Sequence, residues 1–294
     1  MKKQDYPGYY LAGDSASIKA QHIYIRYVVM NLGLMIASAI LSIYNYQSDG
    51  NKIVVNICAG ILLLAAIVFS FILLFKKYED TWYKGRALAE SCKTLTWRYI
   101  MCSEYFEKKI PTLEAEKKFI ERIKEVHKEF QALDGELDGE KFAQANITDE
   151  MKRIRELDLE DRKKYYLKER IVDQIKWYTG KAKINTNKYL LCFIGIILCQ
   201  FLAFGSIVYL INHPASNYNL VGLFSALSAS GFTWIQLKKY QENKEAYNTA
   251  AFELVAIRDN ASRSFSEEEF SKYVLDSENA MSREHTLWLA QKRV

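Results

Sequence analysis

Proline is scarce in this chain and glycine thin, 3 and 13 among 294 residues. So few breakers argue against an all-β or disordered chain and favour long helices. The five cysteines (Cys58, Cys92, Cys102, Cys192 and Cys199) make no CxxC pair, and three of them sit in apolar stretches. No disulfide framework or zinc site is suggested by that spacing, and free thiols in a reducing compartment are expected. The four histidines, His22, His127, His213 and His285, are scattered, with no two at metal-ligand spacing. There is no GxGxxG, no phosphate loop and no nucleophile elbow. Ser91, with Glu90 and Lys93 close by, reads as part of a helical face and not as a nucleophile. No catalytic residue, metal or cofactor is indicated, and the expectation is a protein that is not an enzyme. Trp82, Trp97, Trp177 and Trp288 come without a concentrated basic groove, so interfacial anchoring and helix packing are expected of them, and no nucleic acid partner. The start, MKKQDYPGYY, has two lysines but no apolar run behind them, so a cleavable signal peptide is not expected.

Charge is missing from four windows altogether: Tyr27–Tyr44, Ile53–Phe75, Tyr189–Ile211 and Leu220–Leu237, of 18, 23, 23 and 18 residues. As helices they measure roughly 27 to 34 Å, enough to cross a hydrocarbon core of about 30 Å. The chain is therefore expected to be an all-α membrane protein with four transmembrane helices. The fourth window is the least apolar, being rich in Ser, Ala and Gly. The loops NYQSDGNK and NHPASNYN join the windows in pairs and hold a single positive residue, Lys52. The 15 residues flanking the outer ends of the spans hold two, four, four and three Lys or Arg. Retention of positive charge in the cytoplasm then places both termini, and everything between the pairs, inside.

The two hairpins align when the sequence is shifted by 162 residues. Lys19-Ala20 falls on Lys181-Ala182, Tyr27 on Tyr189, Gly33 on Gly195 and Lys76-Lys77-Tyr78 on Lys238-Lys239-Tyr240. A tandem duplication of parallel topology follows, unlike the inverted repeats of many transporters. Outside the spans, Leu88, Cys92, Leu95, Tyr99, Cys102 and Phe106 alternate steps of four and three within Lys84–Phe106, a seam that buries best against another helix. Gly135 and Gly139 interrupt the helical signal, and Thr148 is placed to cap a new helix. From Leu157 onward, Leu167, Ile171, Ile175, Tyr178 and Ala182 form one stripe on a helix expected to run into the third span. In the tail, Ser266 and Glu269 fit a capping box, followed by a stripe of Phe270, Val274, Met281 and Trp288. The domain division expected is 1–110, a helical connector 111–156, and 157–294.

Polar residues inside the spans leave two readings open. Asn31, Ser38 and Ser42 share one face of the first span; Asn56 lies in the second and Gln200 in the third. Gly222, Ser225, Ala226, Ser228, Ala229 and Thr233 lie in the fourth. They can pack helices through small residues and interhelical amide bonds. Alternatively they line a watery path, which four helices are too few to enclose, so conduction would require a homo-oligomer. No acidic or basic residue lies deep in a span, which argues against proton- or ion-coupled transport.

Four stretches resemble a known family. Pro7-Gly8-Tyr9-Tyr10-Leu11-Ala12-Gly13-Asp14-Ser15-Ala16-Ser17, with Ala20-Gln21 and a span behind it, is similar to the start of a SLATT domain. WYKGRALAESCKTLTWRYIM, after the second span, fits the same family. YLKERIVDQIKWYTGKAKINTNKY and ENAMSREHTLWLA, around the second hairpin, resemble another SLATT subgroup. The resemblance implies two tandem two-helix membrane modules in a bacterial conflict-system effector of the cell membrane. Such modules are associated with nucleotide-producing SMODS enzymes, SLOG sensors or reverse transcriptases, and are proposed to form pores that depolarise or lyse the cell. The implied partners are the lipid bilayer, further copies of the chain, and a nucleotide signal or sensor protein from a neighbouring gene. The motif residues Arg86, Glu90, Lys93, Trp97 and Arg98, with Arg170, Gln174, Trp177 and Tyr178 of the second unit, would couple a signal to the spans or serve the helix bundle. A membrane scaffold that recruits a partner is the alternative function.

Overall fold

A computed structural model describes residues 1–43, 49–261 and 265–290; for 49–50 and 283–290 the backbone alone is described. Tyr44, most of the first short loop, and the side chains of His285 and Trp288 lie outside the described residues. Among the described residues the chain is helical and has no strand. The helices are α1 (Gly8–Leu41), α2 (Asp49–Lys76), α3 (Tyr78–Ile100), α4 (Thr112–Glu129), the short α5 (Gly139–Phe142), α6 (Asp149–Glu156) and α7 (Leu159–Tyr166). After a π-helical segment, Leu167–Val172, come α8 (Asp173–Asn212), α9 (Val221–Lys238), α10 (Tyr240–Asn260) and α11 (Glu267–Ala290).

Local chemistry sets several of these boundaries. The Thr148 hydroxyl accepts the Met151 N–H at 3.3 Å and starts α6, as its position predicts. Ser266 and Glu269 exchange the two bonds of a capping box at 2.7 and 3.2 Å and start α11. The seam of α3 is buried from Leu88 to Phe106, but the helix itself stops at Ile100. Cys102 and Tyr105 take left-handed φ values of 54° and 69°, so Cys102 and Phe106 reach the core from a turn and not from a helix. A period of three and four continues past the helix end because burial, not helicity, selects those residues.

The chain divides into two compact units. One unit comprises Met1–Gln21, Glu79–Ala182 and the chain from Glu245 onward. Its core joins α3, α4, α6, α7, α10 and α11 through Leu88, Cys92, Trp97, Phe106, Phe119, Ile154, Tyr166, Leu254 and Phe270. The family-like stretch at the start of α1 packs on α3. Gly13 and Gly85 face each other so closely that a Cβ on Gly85 would lie 2.9 Å from the Gly13 carbonyl oxygen, and Ser17 Oγ donates to the Trp82 carbonyl at 3.0 Å. Only glycine permits backbones this near.

The other unit comprises His22–Tyr78 and Lys183–Lys244. Within it Asn31 meets Ala66 and Ser70, and Ser38 meets Ala59, so α1 and α2 run antiparallel. Gly231 of α9 leaves room for Ile196 of α8, whose Cγ1 would lie 2.7 Å from a Cβ there. Three helical stretches, Gly8–Leu41, Asn51–Ile100 and Leu159–Asn212, are long and apolar enough to cross a membrane. Their apolar side chains face outward, among them Phe75 and Leu191, each 72% exposed, an arrangement that lipid and not water accommodates.

The duplication is visible in the backbone. Lys77 and Lys239, one shift of 162 apart, both adopt φ of 46° at the junctions of α2 with α3 and α9 with α10. Leu88, Ala89 and Cys92 are buried on α3, and their counterparts Ala250, Ala251 and Leu254 are buried on α10. The repeats differ at the helix crossing. Tyr247 stands at the position of Gly85 and meets Trp177 and Tyr178 with ring centroids 5.2 and 5.8 Å apart. Aromatic rings replace a glycine contact, and the second crossing is filled by side chains.

Candidate functional site

Trp97 of α3 donates its indole N–H to the Tyr6 hydroxyl at 3.0 Å in the core of the first unit. Over the Trp97 ring lies the Arg170 guanidinium, 5.7 Å from its centre, supplied by the π-helical segment. One extra residue per turn in such a segment turns side chains off the stripe of the flanking helix. Here Arg170 and Ile171 point inward and are buried. Arg170 forms a two-pronged pair with Glu278 of α11, Nε to Oε1 at 2.9 Å and a terminal nitrogen to Oε2 at 2.7 Å. Tyr166 adds a third donor to Glu278 at 2.9 Å. Neither member of the pair is solvated: Arg170 is 3% exposed and Glu278 fully buried.

On the α3 side, Arg86 pairs with Glu90 at 2.9 Å and Lys93 lies 3.8 Å from the same carboxylate. Burial pulls the Lys93 pKa below the ordinary lysine value of 10.5, Glu90 opposes the shift, and the charges of Arg170 and Arg86 add to it. For Arg170 burial also works against the charge, but Glu278 outweighs it and the guanidinium holds its proton more firmly than usual. The hydroxyls of Tyr6 and Tyr166 are pushed up by burial and remain neutral, Tyr6 as the acceptor of the Trp97 N–H and Tyr166 as a donor to Glu278. Arg86, Lys93 and Arg170 against Glu90 and Glu278 leave one positive charge in excess.

Five of the nine motif residues thus come together: Arg86, Glu90, Lys93, Trp97 and Arg170. Arg98 does not join them; it donates to the Glu104 carbonyl at 3.2 Å and lies over Tyr105 at 4.9 Å. Trp177 and Tyr178 pack with Tyr247, and Gln174 is half-buried in the first turn of α8. Tyr6, Tyr166 and Glu278 complete the cluster although no motif singled them out. Glu278 did carry a signal, a carboxylate in the apolar stripe of Phe270, Val274 and Met281.

The span residues are spread differently. Asn31 Nδ2 bonds the Ala66 carbonyl at 3.2 Å and Ser70 Oγ at 2.6 Å, while Ser38 Oγ bonds the Ala59 carbonyl at 3.4 Å. Ser42 Oγ donates to the Ser38 carbonyl one turn back on its own helix at 3.3 Å. Ser228 is buried, whereas Asn56, Gln200 and Ser225 are exposed.

As chemistry, the cluster can hold or redistribute charge. Burial pushes the Cys92 thiol nearby well above its ordinary range, which disfavours a reactive thiolate. No group of His, Cys, Asp and Glu poised for a metal occurs among the described residues.

Comparison with known proteins adds the family. Residues 7–163 match the model described as SMODS and SLOG-associating 2TM effector domain 3, and residues 166–288 match that of SMODS and SLOG-associating 2TM effector domain 1. No curated protein and no solved structure matches the chain. The first match contains Tyr6's neighbours on α1 and all of α3; the second contains Arg170 and Glu278, so the cluster joins the two matched domains. With two tandem SLATT domains and long apolar helices, this membrane protein belongs to the family of SMODS and SLOG-associating 2TM effectors.

Proposed function

We propose that the protein is a bacterial effector that assembles in the cell membrane into an oligomeric pore or membrane-disrupting complex, gated through the helices outside the spans. Asn56 and Gln200 carry this reading. Both are exposed on helices otherwise coated with exposed aliphatic and aromatic side chains. An unpaired amide in hydrocarbon costs about 2–7 kcal/mol, a cost relieved when neighbouring subunits or water cover it. In this reading α9, short and rich in Ser and Gly, is the fourth span, the two hairpins insert with the same topology, and both termini are cytoplasmic. The buried ion-pair cluster couples the two domains and holds the complex silent. The trigger comes from a nucleotide signal or sensor protein encoded nearby, in keeping with the association in the family's description.

The test is the membrane potential of bacteria expressing the protein at controlled levels, with and without its neighbouring genes, followed with a voltage-sensitive dye. Depolarisation that precedes lysis supports the reading. An unchanged potential while the system is demonstrably active favours a scaffold that recruits a partner. Phe252 on α10, 76% exposed outside the apolar windows, is the feature that favours that second reading.

A further inference from the structure

A cleft of about 280 Å³ lies beside the turn that follows α3, lined by Tyr99, Lys108, Ile110, Thr112, Glu116, Lys152, Arg155 and Glu156. Its size falls just under the range of about 300–1,000 Å³ typical of ligand pockets, which suits a small molecule. Three independent features give it one electrostatic character. Arg155 is 4% exposed, and among the described residues no carboxylate lies within ion-pair distance of it. Its guanidinium donates to the Tyr99 carbonyl at 2.6 Å and lies over the Tyr99 ring, contacts that leave its charge without a counterion. A buried charge in that condition is costly unless an anion accompanies it.

Tyr99 belongs to the lining of the cleft but is itself fully buried, and its hydroxyl has no hydrogen-bond partner among the described residues. Burial pushes that hydroxyl up to about 12, so at neutral pH it keeps a proton to donate. The third feature is the start of α4, an 18-residue helix whose N-cap is Pro111 and which no side chain caps. The N–H groups of Glu114 and Ala115 already donate to the Pro111 carbonyl, which leaves those of Thr112 and Leu113 without an intrahelical acceptor, and the helix dipole makes that end attractive to an anion. Lys108 adds a cation at the rim, its ammonium 3.0 Å from the Arg155 carbonyl. Two carboxylates also line the cleft: Glu116 is matched by Lys152 at 3.5 Å, and Glu156 is exposed to solvent.

We propose that this cleft binds a small phosphate-bearing anion, held by Arg155 and Lys108 at the N-terminus of α4 with the Tyr99 hydroxyl as a further donor. Phosphate suits the site better than a carboxylate because its oxygens can accept from the guanidinium, the ammonium, the phenol and the helix end together. The site is separate from the Arg170–Glu278 cluster, and the inference does not depend on pore formation.

The experiment titrates inorganic phosphate, at constant ionic strength set with chloride, into the full chain in zwitterionic nanodiscs and follows the unfolding midpoint. A saturable rise is expected. Tyr99→Phe and Lys108→Gln should each weaken phosphate about tenfold, the equivalent of one charge-assisted hydrogen bond. Tyr99→Phe should leave the phosphate-free midpoint unchanged or raise it, since it removes an unpaired buried hydroxyl. A parallel set of nanodiscs containing phosphatidic acid separates a lipid headgroup from a free ligand. A response to either source that both substitutions weaken supports the site. No saturable response to either, or one that neither substitution alters, overturns it.

Discussion

Glu278 and Arg170 exclude water from each other almost completely, so the energy of their pair lies mostly in what breaking it would leave behind. Glu278→Gln keeps the shape but strands the Arg170 charge in the core, with an expected loss of about 3–5 kcal/mol. Thermal unfolding of the detergent-solubilised variant measures it, and a midpoint equal to wild type would mean that the cluster tolerates an unbalanced cation. Lys93 lies in the same environment with the opposite consequence for pH. Its folded pKa is lowered chiefly by burial, so at neutral pH the folded chain carries a charge that is costly to hold. As pH rises through that lowered value the folded lysine releases its proton, while the unfolded chain keeps its own until about 10.5. The unfolded state then binds more protons, and stability rises relative to a chain without the lysine. The midpoint of wild type measured against Lys93→Met should therefore climb between neutral pH and pH 10; a flat difference would show that Lys93 is solvated.

Helix junctions matter more than helix interiors at the next scale. Lys77 and Lys239 sit in a left-handed conformation that costs a non-glycine residue about 1–2 kcal/mol. Glycine removes that cost and returns part of the gain as freedom of the unfolded chain, about 0.5–1 kcal/mol. Each of Lys77→Gly and Lys239→Gly is expected to stabilise by roughly 0.5–1 kcal/mol, and a loss of stability in either would mean that the lysine side chain holds its junction. Retention of a strained lysine at both equivalent positions fits a cation needed at the end of an apolar helix. The π-helical segment is the other junction, since it turns Arg170 into the core between α7 and α8.

For the whole molecule the question is what covers the exposed amides. In a bilayer, Gln200→Cys on α8 should cross-link between subunits under mild oxidation if that face lies at a subunit contact, and dimeric or larger bands on a non-reducing gel would report it. The native thiols are replaced beforehand, because Cys192 and Cys199 lie on the same helix. Asn56→Leu and Gln200→Leu together should abolish depolarisation while leaving insertion intact. Depolarisation unchanged in the stably inserted double variant would show that conduction does not pass these sites.

Much of this protein was legible in one dimension, because the signals concerned are local. Uncharged windows of about the thickness of a bilayer core, caps such as Thr148 and Ser266, and the α3 seam each depend on residues within a few turns of one another. The repeat was legible for the same reason, and the two left-handed lysines confirm it in the backbone. Nine motif residues were singled out, but not the fact that five of them meet, since the α3 residues, Arg170 and Glu278 are brought together from 73 to more than 180 residues apart. A carboxylate such as Glu278 looks like surface until an arginine from a distant helix is seen opposite it. Likewise Arg155 and Tyr99 read as an ordinary charged residue and a core aromatic. Only the tertiary structure decided that one lacks a counterion and the other a hydrogen-bond partner, because burial and pairing are properties of the surroundings and not of the residue.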